Sequence, residues 1–267
     1  MNWLSNKVSG LRSLWRFDNR LHLLTNRTLF AQEALTVYRC QGMEILVDHS
    51  AADQNGTREC LTTDMYSRYF SKMRLKPGFR VLDLGANGGG FSLSLRANGL
   101  EPGRIVCVEM NPQTYLRLHF NVMRNVGAPC QVYNAAVWKE KTTLQVPLGH
   151  GGPGESVHQT TAEPGQQMVN VPTMTFDEIA HQCAPEGVID LAKIDIEGAE
   201  FESLMQGPAQ SLDRISYILI ETHPHRELRQ DDLMVYLKQR GFTPLADHQR
   251  MHGDCEVHCL RNMALVA

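Results

Sequence analysis

The sequence predicts an α/β protein: a doubly wound, mostly parallel seven-stranded sheet preceded by a helical N-terminal extension. Three observations carry this prediction. Residues 80 to 90, RVLDLGANGGG, pass from a run of β-formers into a glycine-dense turn, and residues 91 to 97 continue at helical spacing. A second β-rich run, RIVCV at 104 to 108, ends in Glu109. From 80 to 240 such runs alternate with helical segments, the pattern of a parallel sheet whose strand order reverses at a switch point where ligands bind.

The extension comes first. Leu4, Val8, Leu11 and Trp15 fall at helical spacing with Lys7, Arg12 and Arg16 beside them. Such a stripe packs on the parent domain or a second subunit; peripheral membrane contact through residues 1 to 20 is the alternative. Leu21, Leu24, Leu29 and Leu35 read as a further helical segment over 21 to 39, Glu44 to His49 as a strand, and Glu59 to Leu75 as a helix stopped by Pro77-Gly78. Residues 1 to 75 are thus expected to be a helical extension that covers the site or makes homodimer contacts, and 76 to 267 the catalytic domain.

In the core, Asn111-Pro112 begins a helix that ends at Gly127, and Cys130 to Val137 is the third strand. Residues 147 to 171 lack periodicity and are rich in Gly, Pro and Gln, which predicts a long loop serving as a substrate-side lid. Val171 to Thr175 is extended, Phe176 to Cys183 helical, 188 to 198 a buried strand, and 199 to 205 its helix. Residues 215 to 223 form the fifth strand, Asp231 to Arg240 a helix, and 241 to 246 with 256 to 261 a hairpin-like pair closing the sheet.

At 267 residues and 42% hydrophobic content, the chain suits one α/β domain with an appendage. A net charge of −3 and pI near 6.4 give no field that attracts nucleic acid. Seven scattered cysteines without a CxxC pair fit a reducing compartment, and no apolar run reaches a membrane span or a secretion signal. The expectation is a cytoplasmic protein without a nucleic-acid partner.

The ligand is narrowed by spacing. Gly85, Gly88, Gly89 and Gly90, preceded by Asp83, depart from the G-x-G-x-x-G of dinucleotide sites, and no G-x-x-x-x-G-K-[ST] loop is present. A carboxylate inside the loop disfavours a pyrophosphate and suits a ligand with a cationic amino group. Glu109, at the tip of the second strand, is placed to take two ribose hydroxyls. Small residues at Asn134-Ala135-Ala136 leave room for a flat ring. This set resembles the S-adenosylmethionine site of class I, Rossmann-like methyltransferases.

Five segments extend the resemblance to one family, the FkbM-type methyltransferases: VLDLGANGGGFSL (81 to 93), VEMNPQTYLRLHFNVMRN (108 to 125) with Asn121 and Asn125, NAAV (134 to 137), VPTMTFDEI (171 to 179), and LAKIDIEGAEFESL (191 to 204) followed by ILIETH (218 to 223). The resemblance implies S-adenosylmethionine-dependent methylation, usually of a hydroxyl on a sugar, glycolipid or secondary metabolite, so the expected partner is a small-molecule or glycan acceptor. Its commoner Glu-Pro after the second strand is Glu109-Met110 here. The candidate cofactor contacts are Asp83, Gly85, Ala86, Asn87, Gly88, Glu109, Met110, Asn134, Ala135, Ala136 and Asp195.

Methyl transfer to a hydroxyl requires a held acceptor oxygen, excluded water and a proton acceptor. Asp195, Glu197, Glu221 and His223 end two strands expected to be neighbours, and they are the catalytic candidates. His223 is the natural base on its ordinary pKa. The same groups offer a divalent cation such as Mg²⁺ a site, but carboxylates at strand ends also cap helices, and the metal is the less favoured reading. Lys193 is expected to pair with a nearby carboxylate. His248, His252, Cys255, His258 and Cys259 have zinc-ligand types without zinc-site spacing, and read as a closing loop and strand. The competing functions are an N-methyltransferase, an NAD-dependent oxidoreductase and a non-catalytic cofactor-binding subunit.

Overall fold

A computed structural model of the protein describes residues 13–29, 35–51, 53–149, 154–224, 229–250 and 255–266. Most of the amphipathic stripe over residues 3–16 lies outside the described residues. The chain then forms α1 (Arg20–Leu29) and an antiparallel hairpin of β1 (Leu35–Cys40) and β2 (Met43–Asp48). This corrects the expectation of helix up to residue 39, while β2 matches the strand expected over Glu44 to His49. LTVYRC is rich in β-branched and aromatic residues, and its Thr36, Tyr38 and Cys40 alternate inward. Gln41 and Gly42 both take positive φ, 49° and 74°, in the two-residue turn such hairpins favour.

Helix α2 (Asp53–Thr62) and the short α3 (Ser67–Phe70) replace the single helix expected over 59–75. Thr62 and Thr63 turn their hydroxyls back onto the Arg58 and Glu59 carbonyls, and Thr63 Oγ1 also accepts from the Met65 backbone N–H. Such local bonds compete with helix continuation.

The core keeps the expected alternation: β3 (Phe79–Leu84), α4 (Gly90–Ala97), β4 (Pro102–Glu109), α5 (Pro112–Asn125) and β5 (Cys130–Asn134). Asn111 caps α5 by accepting from the Gln113 and Thr114 N–H groups, with Pro112 in its first turn. The third strand leaves β4 at Asn134. Beyond it, β6 (Ala136–Val137) joins a separate three-stranded sheet with β7 (Thr143–Leu148) and β8 (Gln167–Met174). The loop expected over 147–171 therefore shortens to 149–166, because both its ends are paired strands with alternating inward residues such as Val146, Leu148 and Val171.

Helix α6 (Phe176–Cys183) opens with a Thr175–Glu178 capping box. Strands β9 (Ile189–Ile194) and β10 (Ile215–Thr222) follow, joined by a π-helical turn (Glu202–Gln206) where the spacing predicts regular helix, and by a 3-10 turn (Gln210–Arg214). Helix α7 (Gln230–Gln239), β11 (Phe242–Pro244), β12 (Gln249–Arg250) and β13 (Glu256–Asn262) complete the described elements.

The main sheet has the order β11-β13-β10-β9-β3-β4-β5, with β12 beside β13. Strands β10, β9, β3, β4 and β5 are parallel; β13 is antiparallel to β10 and also pairs β11, so the closing strands do flank one another. Both faces are buried, as the continuous apolar runs demand. One face carries Val81, Cys107 and Leu191 against α4, α5 and the N-terminal Phe17, Tyr38 and Ile45; the other carries Leu82, Val106 and Ile218 against α6 and α7. The strand order reverses at β3, whose neighbours are β4 and β9. Pairing of Leu84 with Ile194 carries Gly85 and Asp195 out of the sheet side by side.

Two asparagines of α5 tie the N-terminal hairpin to this point. Asn121 accepts from Leu46 N at 2.7 Å and donates to Leu46 O and Gly88 O, while Asn125 accepts from Glu44 N and donates to Glu44 O. Strand β2 is thereby held on α5, and the glycine turn is anchored by the same side chain.

Candidate active site

The turn after β3 is built by close approach. Gly85 has φ of 67°, and a Cβ there would fall on the Asp195 carbonyl oxygen; a Cβ on Gly88 would fall on Thr57 Oγ1 of α2. Only glycine leaves room for those neighbours. Ala86 N donates to Val108 O, and Asn87, at φ of 47°, donates its N–H to Glu109 Oε2 at 2.9 Å. Thr57 Oγ1 is buried with no hydrogen-bond partner. A buried hydroxyl beside a backbone cradle fits a ligand that supplies the missing partner.

Asp83 lies near the end of β3, beneath the turn rather than inside it. It is fully buried, accepts from Ser92 Oγ at 2.6 Å, and faces Lys193 Nζ at 3.9 Å. Lys193 is tied in further by bonds to Gly85 O (2.6 Å) and Asp195 Oδ2 (3.0 Å), the carboxylate pairing expected of it. Burial raises the Asp83 carboxyl, and Lys193 opposes the rise.

At the end of β4, Glu109 accepts from Asn87 N and, at 2.8 Å, from Asn111 N. Burial pushes its carboxyl up to about 7, against those two donors. Asn134 donates to both the Glu109 and Met110 carbonyls, which fixes the turn that here lacks proline. Ala135 and Ala136 are buried, and Met110 packs with Ala136 and Val146. Glu109, Met110, Asn134, Ala135 and Ala136 thus gather at the carboxyl end of β4.

The catalytic candidates converge. His223 Nε2 stands 3.3 Å from Glu197 Oε2, 3.8 Å from Asp195 Oδ1 and 3.9 Å from Glu221 Oε1. Its Nδ1 lies 3.1 Å from Oε1 of fully buried Glu200, which also accepts from Ile196 N. Burial opposes charge on the imidazole, but Glu200, Asp195 and Glu197 outweigh it and hold its pKa up to about 10. The near-neutral pKa expected of a free base is therefore lost, because the acidic side chains around the imidazole favour its charged form. Burial raises Glu197 and Glu221, the latter to about 7.

Segment 149–166 reaches this cluster. Gly154 N donates to Glu197 Oε1 at 3.1 Å, Ser156 Oγ to Glu197 O at 2.6 Å, and His158 Nε2 lies 3.2 Å from Gly198 O. These contacts hold Glu197 at φ of 53°, a conformation non-glycine residues rarely adopt. Glu155 accepts from Gly149 N and Asn111 Nδ2, pinning the segment to the start of α5.

Glu200 was legible only as part of KIDIEGAE, with no signal for its place under His223. Cys255 also joins this site: its thiol groups with Glu221 and His223. The zinc-type constellation is otherwise dispersed, because Cys259 is buried in the core while His248 and His258 stack at 5.4 Å and face Glu256. His252 lies outside the described residues.

Five parallel strands that reverse at β3, an antiparallel β13, a glycine turn at the reversal and an acid at the tip of β4 define a Rossmann-like class I methyltransferase fold. The chain belongs to the FkbM methyltransferase family: residues 83–244, well over half its length, match the Methyltransferase FkbM domain. It is thus a methyltransferase, and the fold implies use of S-adenosylmethionine. Among solved structures it is similar to a methyltransferase FkbM from Methylobacillus flagellatus, at 14% identity and a TM-score of 0.49 over 95% of this chain; the chain spans only 59% of that protein. It is also similar to a ribosomal protein L11 methylase from Lactobacillus delbrueckii subsp. bulgaricus (11% identity, TM-score 0.43, 80% of each chain). A precorrin-6y C5,15-methyltransferase from Geobacter metallireducens gives 15% identity and a TM-score of 0.42 over 73% of this chain and 85% of its own. No curated protein matches the chain. Among the described residues, no helix is long and apolar enough to cross a membrane.

Proposed function

We propose that the protein is an S-adenosylmethionine-dependent O-methyltransferase, acting in the cytoplasm on a hydroxyl of a sugar, glycoconjugate or secondary metabolite. The observation that carries this reading is the cluster of Asp195, Glu197, Glu221 and His223, set against the glycine turn through Gly85 and Asp195. Bound S-adenosylmethionine supplies a methyl group on a positively charged sulfur. Gly85, Ala86, Asn87 and Gly88 present backbone to its amino-acid end, Glu109 takes the ribose hydroxyls, and Met110, Asn134, Ala135 and Ala136 bound the ring. Asp83 and Lys193 support the turn from below.

An alcohol is too weak an acid to ionise unaided, whereas an amine presents a lone pair once deprotonated. Four carboxylates around one imidazole suit the former task. Asp195 Oδ2 is engaged by Lys193, Glu200 Oε1 by Ile196 N and His223, and Glu197 Oε1 by Gly154 N, leaving Glu221 to receive the hydroxyl proton. His223 orients these groups. Segment 154–158 packs on the same cluster through Gly154 and Ser156, which bond Glu197. A net charge of −3 supports a small-molecule acceptor over a polynucleotide.

Incubation with methyl-deuterated S-adenosylmethionine and a panel of hydroxyl, amine and RNA acceptors tests this reading. NMR and mass spectrometry of the product should show an O-methyl ether; methylation of amines or RNA alone would overturn it.

Glu109 adds a pH signature. Ribose hydroxyls donate better to a carboxylate than to a carboxylic acid, and the free carboxyl titrates at about 7. Affinity for S-adenosylhomocysteine should therefore rise from pH 6 to pH 8, by about tenfold, with proton release on binding. Calorimetry in buffers of different ionisation enthalpy reads both; a pH-independent affinity without proton release would remove Glu109 from the ribose site.

A further inference from the structure

We propose that Asp195, Glu197 and His223 bind a divalent first-row metal ion, with Glu221 and Cys255 at its rim. The inference deepens the reading above, resting on the same cluster as the reaction centre. One ligand atom from each of Asp195, Glu197 and His223 lies within 4.8 Å of the other two, and Glu221, His223 and Cys255 form a second such group sharing the imidazole. Ligands about 2.1 Å from one ion at tetrahedral or octahedral angles stand about 3.0 to 3.4 Å apart. The 3.3 Å from His223 Nε2 to Glu197 Oε2 already matches that spacing, and the 3.8 Å to Asp195 Oδ1 needs a shift of about half an ångström.

The surroundings are those of a ligating histidine. Glu200 holds Nδ1 from a fully buried position, fixing the ring so that Nε2 faces the other carboxylates. A carboxylate behind the distal ring nitrogen is the usual orienting partner of a metal-bound imidazole. Glu200 Oε1 also accepts from Ile196 N, which fixes the carboxylate, and its Oε2 is buried without a hydrogen-bond partner. Glu197 and Asp195 keep one oxygen each for the site, their others being taken by Gly154 N and Lys193. Two carboxylates and one imidazole suit Mn²⁺, Fe²⁺, Co²⁺ or Zn²⁺ better than Ca²⁺, which prefers more oxygen ligands. An ion here would lower the pKa of a coordinated acceptor hydroxyl.

The test needs no acceptor and no turnover. The full chain, stripped with a chelator, is titrated with Mn²⁺ by electron paramagnetic resonance, and with Zn²⁺ by calorimetry, alongside Glu197→Gln and His223→Gln. One ion should bind the unsubstituted protein, at least tenfold more weakly to each variant, and Glu197→Gln, at a partly exposed carboxylate, should keep its fold by circular dichroism. No binding of either ion, or binding unchanged in Glu197→Gln, would overturn the proposal. S-adenosylhomocysteine titrated into the same stripped sample separates the two readings: retained nucleoside binding without metal binding removes only the ion, and loss of both removes the reaction centre as well.

Discussion

Gly85→Ala should destabilise the protein by about 3 kcal/mol or more and abolish measurable binding of S-adenosylhomocysteine. Two effects add. A left-handed backbone at φ of 67° costs about 1 to 2 kcal/mol for any residue with a Cβ. The new methyl would also overlap the Asp195 carbonyl, and Asp195 N is itself bonded to Leu84 O, so the backbone at the ends of β3 and β9 must separate. That separation moves Lys193, which bridges Gly85 O and Asp195, and with it the cofactor turn and the acidic cluster together. Gly99→Ala is the matched control. Its φ is 71°, but a Cβ there meets nothing within 4 Å, so only the backbone cost of about 1 kcal/mol remains and binding should be unchanged. Urea denaturation and calorimetry on both variants read the difference. Wild-type stability in Gly85→Ala would mean that β3 and β9 do not approach as described.

His223→Ala should lower turnover by about 10²- to 10³-fold while changing affinity for S-adenosylhomocysteine by less than about threefold. The imidazole touches Asp195, Glu197, Glu200 and Glu221, all on the β9 and β10 side of the crevice, whereas the expected nucleoside contacts gather at the end of β4. Its loss also strands Glu200 in the interior and should destabilise the fold by about 3 kcal/mol. Turnover is therefore compared below the melting transition, with His223→Gln as the variant that can still donate to Glu200. Equal losses in turnover and nucleoside affinity would place His223 in the cofactor pocket instead.

The parts legible in the sequence are those where local chemistry and tertiary structure agree. Strands β3, β4, β9 and β10 are continuous apolar runs because both faces are covered, and the glycine turn is dense because two backbones meet there. The hairpin is masked in the sequence because the leucines at 21, 24, 29 and 35 happen to fit a helical period, although LTVYRC and Gln41-Gly42 carry strand and turn signals. The loop expected over 147–171 overlaps β7 and the central β8, whose Pro147 and Pro172 weaken the strand signal. Roles set by three-dimensional packing were hidden for a different reason. Asn121 and Asn125 show their purpose only once β2 lies along α5, and Glu200 looks like a helix residue until β10 brings His223 over it. The shift of His223 to about 10 likewise depends on Glu200, Asp195 and Glu197, which follow β9 and are distant from His223 in sequence.

We propose that residues 83 to 136 hold an S-adenosyl nucleoside. Calorimetric titration of the purified protein with S-adenosylhomocysteine, alongside NADH, tests this. One nucleoside should bind per chain, with no binding of NADH and with affinity lost in Gly85→Ala. Binding of NADH, or of neither ligand by a folded protein, would contradict it.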